Sequence, residues 1–135
     1  VCAALEETLH AYWVHPLDRG GLALSPPAVV SVPTAIYYSV EVAGDNMYAV
    51  LRCCYAEGDM VPDAVMHKEL LLYSLQPPPD ATSPPGVQCT WHTRVAASSH
   101  ALVRYPGPGA SGVMVASLGV VTVWPCGAGG ASGAP

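Results

Sequence analysis

Apolar positions along this chain alternate with polar ones at a period of two, and no stretch shows a sustained i, i+3, i+4, i+7 helical stripe. The clearest run is Ile36-Tyr-Tyr-Ser-Val-Glu-Val42. Ile36, Tyr38, Val40 and Val42 fall on one side and Tyr37, Ser39 and Glu41 on the other, the period of a half-buried strand. Gly44-Asp45-Asn46 then supplies a turn of hairpin length, rich in residues that tolerate positive φ. Met47 to Tyr55 returns as the partner strand, with Met47, Ala49, Leu51 and Cys53 on one face and Tyr48, Val50, Arg52 and Cys54 on the other. The pattern predicts that Tyr38, Val40, Val42, Ala49 and Leu51 are buried on the facing sides of this hairpin.

Other segments read the same way. Glu6 to Val14 places Leu9, Ala11 and Trp13 on one face and ends at His15-Pro16, before a turn at Asp18 to Gly21. Leu22 to Val32 is extended but interrupted by Pro26-Pro27, which predicts an edge position. Glu57 to Asp63 reads as a loop, Glu69 to Tyr73 as a short strand, and Pro77 to Gly86 as a stiff surface excursion. Val87 to Val95, Ala101 to Tyr105 and Val113 to Trp124 complete about eight strand candidates spaced by turns. The fold expected is an all-β, Ig-like antiparallel β-sandwich of about seven or eight strands with one or more disulfides. It would form a single domain over residues 1–126, followed by a flexible Gly/Ala tail over 127–135.

The segment from Val113 to Trp124 changes this picture, because it is apolar on both faces and carries no charge. Such a run suits a strand buried on both sides or one inserted into a neighbouring subunit, and never a solvated edge. Val113, Val115, Val120, Val121 and Val123 are therefore the candidate assembly strand.

Composition narrows the function classes. Charged residues are 11% of the chain, against roughly 25% in an average soluble domain, so another protein is a natural cover for part of the surface. Five scattered Lys and Arg with a net charge of −5 argue against nucleic acid. No apolar run approaches the roughly 18–20 residues of a membrane span. Glu6 and Glu7 stand where the apolar core of a leader peptide would begin, so the chain reads as a mature product or an excised piece.

The cysteines Cys2, Cys53, Cys54, Cys89 and Cys126 form no Cys-x-x-Cys motif. Their wide spacing in a Pro-rich, Lys-poor β chain predicts disulfides, hence an extracellular location, secreted or on a cell or virion surface. Cys53 and Cys54, adjacent on a strand, point opposite ways and do not pair with each other. The expected bond joins Cys53 or Cys54 to Cys89 or Cys126, and the odd count leaves one thiol available to another chain.

Catalytic chemistry is not legible. His10, His15, His67, His92 and His100 show no ligand spacing, and Gly109-Ala-Ser-Gly112 lacks the pattern of a nucleophile elbow. Asp45, Asp59, Asp63 and Asp80 lie in separate turns and do not make a calcium loop. No enzymatic activity, cofactor or metal site is expected.

Pro26-Pro27-Ala28-Val29-Val30, Ile36-Tyr37-Tyr38-Ser39-Val40, Val50-Leu51-Arg52-Cys53-Cys54-Tyr55-Ala56 and Glu69-Leu70-Leu71-Leu72 together carry a resemblance. From Leu22 to Tyr73 the chain resembles the C-terminal Ig-like half of a zona pellucida module. Cys54 matches the family's cysteine and Cys89 stands where its next one would be displaced. The family's Arg-Phe-Ser-Phe strand has no counterpart, since the chain lacks Phe. The resemblance implies an extracellular structural or assembly module, joining other protein chains or copies of itself by β-strand exchange, as in egg-coat or uromodulin-like filaments. A monomeric ligand-binding ectodomain, such as a growth-factor co-receptor or a viral surface protein, is the alternative.

Overall fold

The computed structural model describes residues 1–5, 7–32, 34–55, 67–107 and 110–126. These residues are all-β and contain no helix, and so none long and apolar enough to cross a membrane. Twelve strands are formed: β1 (Cys2–Leu5), β2 (Thr8–Ala11), β3 (Val14–Pro16), β4 (Leu22–Leu24), β5 (Ala28–Ser31), β6 (Ala35–Gly44), β7 (Met47–Cys54), β8 (His67–Gln76), β9 (Gly86–Val95), β10 (Ala101–Gly107), β11 (Ala110–Ser117) and β12 (Val120–Pro125).

Every pairing is antiparallel. A four-stranded sheet runs β6-β7-β8-β9, one three-stranded sheet runs β10-β11-β12, another runs β1-β2-β5, and β3 pairs with β4. Turn chemistry explains the meanders. Asn46 takes a φ of 55° between β6 and β7, and Gly119 a φ of 73° between β11 and β12, so each chain reversal pairs neighbours in sequence. The order is therefore not the one expected of an Ig domain, in which strands of the two sheets interleave along the chain. The proline pair divides the segment from Leu22 to Val32 into β4 and β5, and each lies at the edge of its own sheet.

The inner strands β7 and β8 of the four-stranded sheet are buried on both faces. On one face Ala49, Leu51, Leu70 and Leu72 pack against Leu102, Val113 and Val115 of the β10-β11-β12 sheet. On the other, Val50, Leu71, Tyr73 and Tyr37 pack around Leu9 of β2, with Cys2, Ala4 and Val30 alongside. This three-layer arrangement accounts for Leu70-Leu71-Leu72, an unbroken apolar run where a sheet with one wet face would alternate.

The hairpin of β6 and β7 departs from the strict alternation of its sequence. Tyr37 is opposite Arg52 and Ser39 is opposite Leu51, so Tyr38 is the extra residue of a β-bulge. The bulge turns Tyr38 into the cluster that holds Ala49 and Leu51, while Val40 joins Tyr37 and Val50 on the other side. A bulge shifts the faces by one residue, so Tyr38 and Val40 do not share a face and Val42 is left 37% exposed. The displaced Tyr38 gains a partner. Its hydroxyl donates to the Ser99 carbonyl at 3.1 Å, where Lys68 also donates at 2.6 Å, and the Lys68 ammonium lies 5.3 Å from the Tyr38 ring centre. These contacts tie the connection between β9 and β10 to the central sheet.

Leu51 is fully buried, so Leu51→Ala should cost about 2–5 kcal/mol in urea unfolding. Val42→Thr, on a side chain that simple alternation puts in the same core, should change stability by less than about 0.5 kcal/mol. Equal losses for both would show that β6 pairs with β7 without the bulge.

Candidate functional site

Two places carry side chains that packing alone does not use. One is the outer face of the β10-β11-β12 sheet. Leu102, Val113, Val115 and Trp124 point inward to the core, so the alternate residues point away from it. They align in rows across the sheet: Ala101 with Ala116 and Val121, and Val103 with Met114 and Val123. None of the six is charged or polar, and no strand or loop of the described residues covers them: Val121 is 61% exposed, Val103 48% and Val123 45%, and even Met114 and Ala116 in the central strand stay half-buried.

At one side of this face β12 is an edge, bonded to β11 alone among the described residues. The candidate assembly strand therefore divides at the turn of Leu118 and Gly119. Val113 and Val115 lie in the central strand and are buried, whereas Val120, Val121 and Val123 lie on the edge and are exposed. Within the chain the short turn sends β12 to the outside of β11, so of the two expected placements, central in its own sheet or paired with another chain, the second half of the segment has only pairing with another chain open to it. Leu118 at that turn is 85% exposed. Beneath the edge an open cleft of about 270 Å³ runs between the layers, lined by Val120, Thr122 and Trp124 on one side and Arg94, Val95 and Ala96 on the other. Trp91 and Trp124 lie against one another with ring centres 5.3 Å apart.

The second place is at the far end of β7 and β8, on the face that carries Tyr37 and Val50. The register sets Arg52 opposite Glu69 and Cys54 opposite His67, so four polar side chains meet. Arg52 grips one carboxylate oxygen of Glu69, with Nη2 at 2.7 Å and Nε at 2.8 Å from Oε2. The Cys54 thiol donates to the same oxygen at 3.6 Å, and His67 Nε2 lies 3.2 Å from Oε1. Burial works to raise the Glu69 pKa, but the hydrogen bonds and charge of Arg52 outweigh it and hold the carboxyl below its ordinary value. Burial also pushes the Cys54 thiol up, against the pull of Arg52. The buried Tyr37 hydroxyl lies close enough to Arg52 and Tyr73 to influence both, yet makes no well-formed hydrogen bond with either. Because the carboxylate bridges thiol and imidazole, His67 is not set as the base of a cysteine nucleophile.

No disulfide is seen among the five cysteines in this structure. The register gives the reason. Cys54 is opposite His67, and Cys89 is opposite Tyr73, six residues further along β8. That separation is roughly 20 Å along the strand, with a whole strand intervening as well. The backbone N–H of Cys126 donates to the Ser111 carbonyl, and the Ser111 hydroxyl approaches Gly44 at the turn end of the β6-β7 hairpin, the end opposite Cys54. Cα atoms must come within about 7 Å to be bridged. Cys53 shares the face of Ile36, away from Cys54. Cys2, the first residue of β1, packs against the cluster around Leu9 and Val50, where burial pushes its thiol up to about 11 despite the nearby N-terminal ammonium.

No protein-family model and no curated protein matches the chain. The outer face was legible in the charge-free run, but the four-residue cluster was not. Its signal was His67-Lys-Glu69 alternating at the start of β8, which becomes informative only once His67 is aligned with Cys54.

Glu69→Gln leaves the Arg52 guanidinium, 17% exposed, without its counter-charge and should cost about 2 kcal/mol at neutral pH. Since the folded-state pKa of Glu69 is depressed, its contribution is complete above the ordinary value of 4.5 and disappears as pH falls through the lowered one. Urea midpoints of the two proteins should therefore converge on acidification below about pH 4.5. A constant difference down to pH 2 would mean that the carboxylate charge does not matter.

Proposed function

We propose that this domain is an association module, and that its outer β10-β11-β12 face and β12 edge receive a second copy of the chain. The observation that carries the reading is the uncharged apolar face bordered by an edge strand without protecting charge. Natural sheets guard exposed edges with Lys, inward charges or covering loops, and residues 110–126 hold no charged side chain. A face of this kind is complementary to itself. Two copies meeting about a two-fold axis bring Val121 and Val123 together without opposing like charges, although the chain carries −5 overall. Antiparallel pairing of two β12 edges would add main-chain hydrogen bonds, the strand-addition mode that the zona pellucida resemblance implies.

Size sets the strength. Three strands about 4.8 Å apart and some 23 Å long offer roughly 330 Å² of face, well under the roughly 800 Å² per partner of a stable complex. The association is accordingly reversible and micromolar, and becomes lasting only through repetition along a filament or a neighbouring domain. No thiol takes part, so the reading needs no disulfide. An extracellular location belongs to this proposal as an expectation that rests on the cysteine spacing in a Pro-rich, Lys-poor chain.

Sedimentation velocity between about 1 and 500 µM should show a reversible rise in mass. Val121→Lys with Val123→Lys, both at exposed positions, should hold the protein monomeric with an unchanged circular dichroism spectrum. A wild-type monomer throughout that range would overturn self-association and favour the ligand-binding alternative.

A further inference from the structure

We propose that Cys54, His67 and Glu69 form a three-ligand site for a thiophilic transition-metal dication of the zinc class. The three donor atoms lie within 4.8 Å of one another. Bond lengths of about 2.0–2.3 Å at a tetrahedral centre place donors roughly 3.3–3.6 Å apart. His67 Nε2 lies 3.2 Å from Glu69 Oε1, and Cys54 Sγ lies 3.6 Å from the other carboxylate oxygen, Oε2, so ligation through Oε1 requires the thiol to turn from Oε2 toward the ion. An ion can enter with side-chain adjustment alone, because the backbone register already sets the ligands on one face.

The surroundings suit such an ion. Arg52 holds Oε2 and fixes the plane of the carboxylate while Oε1 faces His67, the outer-shell support that metal ligands usually receive. One thiolate, one carboxylate and one guanidinium sum to a single negative charge, so a dication leaves the group at +1. Binding is balanced as exchange: the Cys54 S–H bond breaks, its proton passes to solvent and the sulfur lone pair forms the bond to the metal. Sulfur and imidazole donors select zinc, cobalt(II) or cadmium over magnesium and calcium. Three protein ligands leave a fourth position, on the side where His67 is 34% exposed, for water or a donor from another molecule. Cys53 points to the opposite face and takes no part. The metal would clip the end of β7 to the start of β8 and stabilise the fold by mass action. This inference is independent of the association face, with which it shares no residue.

Cobalt(II) is the probe, added to the reduced, metal-stripped full chain. A thiolate-to-cobalt absorption band and tetrahedral d–d bands should saturate at one equivalent, and zinc should displace them. Cys54→Ser should abolish the thiolate band and His67→Gln should weaken binding about 10–100-fold, while Cys2→Ser and Cys89→Ser leave the titration unchanged. Folding of each variant is checked by circular dichroism. In the wild type, alkylation followed by peptide mapping should show zinc protecting Cys54 and not Cys89, a readout that needs no variant. Absence of one-equivalent binding, a band that survives Cys54→Ser, or equal zinc protection of all cysteines would each overturn the site and leave an internal hydrogen-bond network only.

Discussion

Burial of both faces of strands β7 and β8, at the heart of the four-stranded sheet, is the constraint on which the other features depend. A sheet with one wet face can tolerate slippage, because only one set of side chains has a required environment. Here both sets do: Ala49, Leu51, Leu70 and Leu72 answer to one neighbouring layer and Val50, Leu71 and Tyr73 to the other. A shift of one residue would exchange the two sets and mismatch both layers at once. The register that results is rigidly specified, and it decides which polar residues meet at the ends of the strands.

The same constraint explains why the unusual chemistry lies where it does. The covering layers are only three strands wide and do not extend over the whole central sheet, whose β9 has no buried residue. Beyond the apolar contacts of Val50 and Leu71 the strands β7 and β8 continue, and there Arg52, Cys54, His67 and Glu69 occupy successive positions on one face. They are half-buried, enough to strengthen the ion pair and not so much that its charges lose water altogether. On the other side, the β10-β11-β12 layer turns its inner residues to the core, and none of the described residues lies outside it. Its outer valines are therefore exposed for a topological reason, as the last layer of a stack.

The tie between layers is polar and local. The chain leaves the central sheet through the Ser99 region, where Tyr38 and Lys68 share one carbonyl and the hydroxyls of Ser99 and Ser117 lie 2.9 Å apart. Ser99 is fully buried there, so each of these polar groups needs its partner. Burial pushes the Tyr38 hydroxyl up to about 12, which keeps it a donor across the ordinary pH range. A bulge in a strand, at first sight a defect in alternation, is what brings that donor to the crossing point.

The sequence by itself determined the all-β class, the hairpin turn at Asp45-Asn46, the edge position forced by Pro26-Pro27 and the charge-free character of residues 110–126. These are local properties, fixed by backbone preferences and by neighbours two residues away. Tertiary structure alone decided that Tyr38 and Val40 face opposite layers, that β12 becomes an edge, that Cys54 lies far from Cys89, and that Cys54, His67 and Glu69 converge. Each of those outcomes depends on which residue of one strand lies opposite which residue of another. That choice is set by the simultaneous packing of three layers, and no window of the chain contains it.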